Sequence, residues 1–187
     1  MSIGLVILII VGVVLLGLIG YVIGVFNGLV RLRTQSQEAF SDIDVQTKRR
    51  YDLIPNLVET VKGYAKHERE VFENVTKART AAMGAGTLAD KAAKENMLSD
   101  TLKSLFAVAE NYPELKANEN FLALQEELST TENKIEASRR FYNANVRDLN
   151  IKVDQFPSNV IAGMFAFKKM DLFEAEGEAR EAIKVKF

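Results

Sequence analysis

The sequence contains no cysteine, no tryptophan, one histidine and three prolines among its 187 residues. Without cysteine there is no disulfide, no thiolate zinc or iron–sulfur site and no thiol nucleophile. The absence leaves the compartment open, since a reduced cytoplasm and a disulfide-free periplasmic domain would look alike. A single histidine, His67, cannot supply the two Glu-x-x-His pairs of a di-iron bundle. It also misses the His-Glu-x-x-His zinc pattern, because His67-Glu68 continues as Arg69-Glu70-Val71. It reads as an ordinary surface or inter-helix residue. No Gly-x-Ser-x-Gly elbow and no P-loop occurs. A net charge of −1 and a pI near 6.0 leave no concentrated basic face, so no nucleic acid is expected as a partner. The expectation is a protein with no catalytic, metal or cofactor site.

Charge is also missing from one place. The first thirty residues carry no charged side chain. From Ile3 to Val30 they are almost pure Ile, Leu, Val and Gly, interrupted by Tyr21 and Asn27. About 20 apolar helical residues cross a hydrocarbon core roughly 30 Å thick. Residues 1–30 are therefore expected to form a transmembrane anchor. A cleaved signal peptide fits poorly, for it needs a basic n-region and a shorter apolar run. Arg31 and Arg33 flank the span, with Lys48, Arg49 and Arg50 further on. The positive-inside rule then puts the following domain in the cytoplasm, as the soluble part of a single-pass protein.

Few prolines and abundant Ala, Glu, Lys and Leu point to an all-α domain over residues 31–176, with a tail at 177–187. Apolar positions recur at helical spacing from Phe40 and Ile43 through Ile54, Val58, Val61, Ala65, Phe72 and Val75. This predicts one helix to about Ala82, kinked rather than stopped by Pro55. Gly84-Ala85-Gly86 ends it. Thr87 and Asp90 resemble a capping box and predict a second helix to about Glu110, before Asn111-Tyr112-Pro113. Phe121, Leu124, Leu128, Thr131, Ile135, Ser138, Tyr142, Asn145, Leu149, Lys152 and Phe156 step by three and four. Such a seam predicts a third long helix with coiled-coil-like packing. Pro157 stops it, and Ser158 is expected to cap a short fourth helix through Met170. Three to four helices on short connections make an antiparallel bundle.

Two groups of residues carry more than a fold needs. Asp42, Asp44, Arg49, Arg50, Asp52 and Asn56 crowd one helix, and Arg139, Arg140, Asn143, Asn145 and Arg147 another. Such charges either form an inter-helix polar network that fixes register or offer a face to lipid headgroups or a neighbouring protomer. In the anchor, Gly20, Gly24 and Gly28 recur at four-residue steps. Small residues on one face let membrane helices approach, and Asn27 could hydrogen-bond across such a contact.

The run Asp42-Ile43-Asp44-Val45-Gln46, then Lys48 to Val58 with Val61-Lys62-Gly63-Tyr64, resembles the signature of the LemA family. So do Asn111-Tyr112-Pro113, Leu115-Lys116-Ala117-Asn118, Phe141-Tyr142-Asn143 and Phe156-Pro157-Ser158-Asn159, with Phe173-Glu174 near the end. Departures are mild: Phe40 stands where Trp is common, Thr47 where Leu is usual and Leu149 where Tyr is frequent. The resemblance implies a bacterial protein with one N-terminal membrane helix and a cytoplasm-facing helical bundle. It implies no agreed biochemical activity and no catalytic residues. It associates one relative with forming magnetosome membranes and others with quality control by a membrane metalloprotease. The family's motif falls on Arg49, Arg50, Asp52, Pro55 and Asn56.

The expectation that follows is a homo-oligomeric scaffold anchored in the membrane lipid, organising or remodelling the bilayer. The alternative is a monomeric adaptor that presents its bundle to a membrane protease or another membrane protein.

Overall fold

The computed structural model describes residues 2–174; the expected tail at 177–187 lies outside the described residues. Among the described residues there are six helices and no strand. The described chain divides into two units: residues 2–38 with Tyr142–Asp171, and Ala39–Phe141 with residues 172–174.

Helix α1 runs unbroken from Ile3 to Lys62, and two kinds of sequence build it. Up to Ile23 its side chains are apolar and nearly all exposed, and the segment is long and apolar enough to cross a bilayer. From Leu29 a stripe turns inward: Leu29, Leu32, Ser36, Ala39, Ile43, Thr47, Arg50, Ile54, Leu57 and Val61 are all buried. Their steps of three and four mark one helix face.

Pro55 lies inside α1 on its exposed side. Its missing N–H orphans the carbonyl four residues back, Tyr51. Arg79 Nε donates to that oxygen at 2.7 Å, so a side chain from the next helix replaces the lost bond and the helix continues.

The expected single helix to Ala82 is in fact two, α1 and α2 (Arg69–Met83). Gly63, Tyr64 and Ala65 close the end of α1 through bonds from their N–H groups to Glu59 and Val61 carbonyls. Ala65 is fully buried at the turn. The Tyr64 hydroxyl accepts from Asn118 Nδ2 at 3.0 Å, tying the turn to a second connection. Phe72, Val75, Ala78 and Ala82 of α2 then share one core with Ile54, Leu57 and Val61 of α1. Both stripes face the same core, so the period runs on across a turn that reverses the packing.

Helix α3 (Leu88–Ala109) starts as the sequence suggested, with the Thr87 hydroxyl accepting from the Asp90 N–H at 3.2 Å. The reciprocal bond shifts by one residue, from the Gly86 N–H to the Asp90 carboxylate. The one-turn α4 (Pro113–Lys116) begins on its proline. Helix α5 (Glu119–Asp154) keeps the seam buried at Phe121, Leu128, Thr131, Ile135, Tyr142, Asn145 and Leu149. The seam fails at its last member, since Phe156 is 77% exposed.

The fourth helix, α6, is shorter than expected: Ser158–Met164 instead of through Met170. Ala166 adopts φ 55°, and the Phe167 N–H donates to the Ala162 carbonyl at 2.9 Å. That pattern is the left-handed helix stop usually given to glycine. Ser158 does not cap α6. Its hydroxyl bonds the Lys152 and Gln155 carbonyls at 2.7 and 2.8 Å and so closes α5. Leu29, Leu32, Leu149 and Ala162 form the core of this first unit. The following segment is held to α5 by the Asn150 amide, which brackets Met170 at 2.9 Å on both sides. The Tyr142 hydroxyl adds a bond to the Asp171 carbonyl at 2.8 Å.

Candidate functional site

The second unit is built around a buried cation. Arg50 occupies a core position of the α1 stripe and is 1% exposed. A guanidinium there requires anionic acceptors, because an unpaired buried charge is prohibitively costly. Its Nη2 donates to the Glu95 carboxylate of α3, and Nη1 donates to Glu132 of α5 and to Ser99 Oγ at 2.9 Å. Ser99 donates in turn to Glu132 at 2.7 Å, and the Tyr51 hydroxyl donates to Glu95. One residue thus bridges three helices in a single layer. Arg50 Nε and Gln46 Oε1 are buried there without a hydrogen-bond partner. Burial pushes the Tyr51 hydroxyl above the ordinary tyrosine range, and the neighbouring Arg50 charge partly offsets this.

Around this layer the charges are more exposed. Arg49 forks onto Glu127 at 2.7 and 3.1 Å, and Asp44 pairs with Lys91. Arg139 donates to Asn96 at 3.0 Å and lies 4.6 Å from the Phe173 ring centre. Asp42, Asp52, Asn56 and Arg147 are exposed; Arg140 makes only a long same-helix contact with Glu136 at 3.7 Å. Asn145 is buried on α5 and Asn143 half-buried. The partners of Arg49, Arg50, Asp44 and Arg139 described above thus all lie outside the two expected groups. Arg49, Arg50 and Asp44 bind other helices, and the remaining α1 polar residues point away.

Glu95 and Ser99 carry the site and were missed in the sequence. A signal existed for the first: Ala92, Glu95, Leu98, Leu102, Leu105 and Ala109 are the buried stripe of α3. A carboxylate on that stripe needs a cation opposite it.

Beside the network, α3 and α5 leave an open groove of about 560 Å³. Its walls carry Asp100, Glu132 and Glu136 against Lys103 and Arg139, with Phe106 and Leu128 at its floor. The Asp100 carboxylate raises Lys103 above its ordinary value. Among the described residues, no three His, Asp or Glu side chains gather as a metal ion would require.

In the first unit, the glycines separate. A Cβ at Gly20 or Gly24 would meet nothing within 4 Å, whereas at Gly28 it would meet Lys152 Nζ at 2.9 Å. Gly28 thus packs on its own chain. Asn27 and Arg31 are exposed, and Arg33 lies 5.2 Å from the Phe167 ring centre.

The LemA family model matches residues 39–187. Protein LemA of Metamycoplasma hominis is 28% identical over 156 residues, covering 82% of this chain and 70% of that protein. Magnetosome protein MamQ 2 of Paramagnetospirillum magneticum is 25% identical over 175 residues, 80% of this chain and 64% of that protein. MamQ of Magnetospirillum gryphiswaldense is 22% identical over 174 residues, with 79% and 64% covered. The chain spans just under two thirds of these MamQ proteins. A helical protein with an N-terminal apolar helix that fits single-pass anchoring, it belongs to the LemA family.

Proposed function

We propose that this protein is a membrane-anchored scaffold whose copies associate through their anchors and organise the bacterial inner membrane. One observation carries the reading. The exposed apolar part of α1 holds Gly20 and Gly24 with open space over both, on a helix continuous with the folded domain. Close backbone approach at such positions drives membrane-helix association. A repeated contact of this kind closes into a ring or extends as a patch without any chemistry. Membrane work is consistent with the magnetosome proteins among the relatives. Arg31 and Arg33, just after the span, support a cytoplasmic domain by the positive-inside rule.

The test is the mass of the full chain in lipid nanodiscs. A discrete assembly that shrinks on Gly20→Leu with Gly24→Leu supports the scaffold. A monomer in the unaltered protein overturns it.

The α3–α5 groove favours a second reading, an adaptor for a membrane protease or another membrane protein. Its mixed carboxylates and cations suit a polar peptide segment. Crosslinking in native membranes separates the two: crosslinks between copies support the scaffold, and one foreign partner supports the adaptor.

A further inference from the structure

From Gln155 to Phe167 the chain carries no charged residue, the longest such stretch after Val30. Most of it forms α6 and its flanking turns. Ile161 and Ala162 face inward and are buried. The exposed side is largely apolar as well, with Asn159 its polar member. Phe156 is 77% exposed, Met164 72%, Val160 55% and Phe165 49%. Val160 and Met164 are four residues apart in α6, so they share one side, and Phe156 lies in the turn just before the helix. A short helix with an inward apolar face and an outward apolar face has no use for the second face in water.

Two contacts fix where this face lies along α1. The Phe165 ring packs on Phe26 with centroids 4.7 Å apart, and Phe167 approaches the same ring at 5.8 Å. Lys152, four residues before Phe156, lies against Gly28. Twenty residues from Ile3 rise about 30 Å and reach Val22. Phe26 is then about 6 Å further on, at the depth of the lipid headgroups. The flanks carry the matching charge. Lys168 and Lys169 follow the stretch directly, Arg31 and Arg33 lie one to two turns past Phe26, and Asp154 is neutralised by Lys169 at 2.6 Å.

We infer that α6 is a second membrane contact: its Val160–Met164 side, with Phe156 before the helix and Phe165 after it, sinks into the surface of the leaflet that α1 leaves, with Lys168, Arg31 and Arg33 near anionic headgroups. Apolar side chains enter the headgroup–acyl boundary by about 5–10 Å while flanking cations stay with the lipid phosphates. The anchor and α6 together hold the first unit at two points, which restricts rotation of α1 about its axis. This rests on the membrane-anchored reading above and is independent of whether copies associate.

The absence of cysteine makes every introduced thiol unique. Full-length Met164→Cys and Val160→Cys proteins, labelled with an environment-sensitive fluorophore, are reconstituted in phosphatidylethanolamine–phosphatidylglycerol vesicles containing chain-labelled nitroxide lipid. Ile10→Cys, in mid-span, and Glu38→Cys, about 18 Å beyond Phe26 along α1, serve as references. The expected result is lipid quenching at positions 164 and 160 several-fold above position 38. Labels at 164 and 160 that behave like position 38 overturn the inference. So do labels shielded from a water-soluble quencher but untouched by nitroxide lipid, since a second copy or another protein then covers α6. Absence of quenching at position 10 would instead overturn the anchor itself.

Discussion

The two units share α1 and α5 yet solve opposite problems. In the unit from Ala39 to Phe141 the apolar stripes close on one another around the core of Leu57, Val61, Phe72, Leu98 and Leu105. It then places one ion cluster, Arg50 with Glu95 and Glu132, inside that core. The unit holding the anchor keeps a small core and leaves large apolar side chains outside, from Ile3 to Ile23 and again on α6. Its internal polar bonds run chiefly from side chains to backbone carbonyls, as at Ser36, Tyr142, Asn150 and Ser158. A buried ion cluster specifies which helices meet, because only one register pairs all its members. Side-chain-to-backbone bonds specify where a chain turns.

The largest effect should come from removing one member of the ion cluster. Glu95→Leu removes the buried acceptor of both Arg50 Nη2 and the Tyr51 hydroxyl, leaving Arg50 with the part-exposed Glu132, and should cost roughly 3–5 kcal/mol, read by chemical denaturation of the detergent-solubilised full chain. Arg50→Met added to Glu95→Leu should recover part of that loss. A double variant as unstable as the single one would show that packing, not charge pairing, sets the cost. In the anchor unit, Leu149→Ala should cost about 2–5 kcal/mol through an unfilled cavity, while Lys169→Ala, which removes an exposed ion pair, should cost less than about 1 kcal/mol. A large loss at Lys169 would erase the distinction between the units.

Arg79→Met should be intermediate, about 1–3 kcal/mol, because it leaves the Tyr51 carbonyl beside Pro55 without a donor. Restoring the backbone donor with Pro55→Ala should reduce that sensitivity. If both backgrounds lose the same amount, Arg79 acts by packing alone.

The smallest effect contrasts the buried tyrosines, one in each unit. Burial raises the pKa of both; Arg50 opposes the rise at Tyr51, and Asp171 adds to it at Tyr142. A raised folded value means the neutral phenol is favoured in the fold. That contribution is whole below about pH 10, the ordinary tyrosine value, and is lost as pH climbs through the folded values. Ultraviolet titration should show that Tyr51→Phe and Tyr142→Phe each remove a phenol that ionises above the ordinary tyrosine range. A phenol lost from the ordinary range at either position would show that the fold leaves that hydroxyl in water.

Much of the helical plan was legible because period is a local property. The uncharged run before Arg31, the stripe of α1, the Thr87 cap and the seam from Phe121 to Leu149 each follow from spacing alone. Failures cluster at chain reversals. The Gly63–Glu68 turn hid within a continuous period, since α1 and α2 offer their stripes to one core. Ser158 looked like an N-cap but closes the preceding helix, and Ala166 ends α6 with the φ of a glycine. Of the polar residues, Arg50 was legible as excess charge, whereas its partners Glu95 and Ser99 lie on another helix, 45 and 49 residues away. Spacing says which face a residue occupies, not which face it meets.

The sequence by itself determined an apolar anchor and a set of amphipathic helices, because lipid thickness and helical pitch act on consecutive residues. Only the tertiary structure decided that Arg79 would mend the gap at Pro55, that Gly28 would be filled by Lys152 while Gly20 and Gly24 stayed open, and that α6 would dock beside Phe26 with its outer face bare. These are contacts between residues far apart in the chain. Their geometry is set by which faces close on one another, a choice that the short-range pattern leaves open.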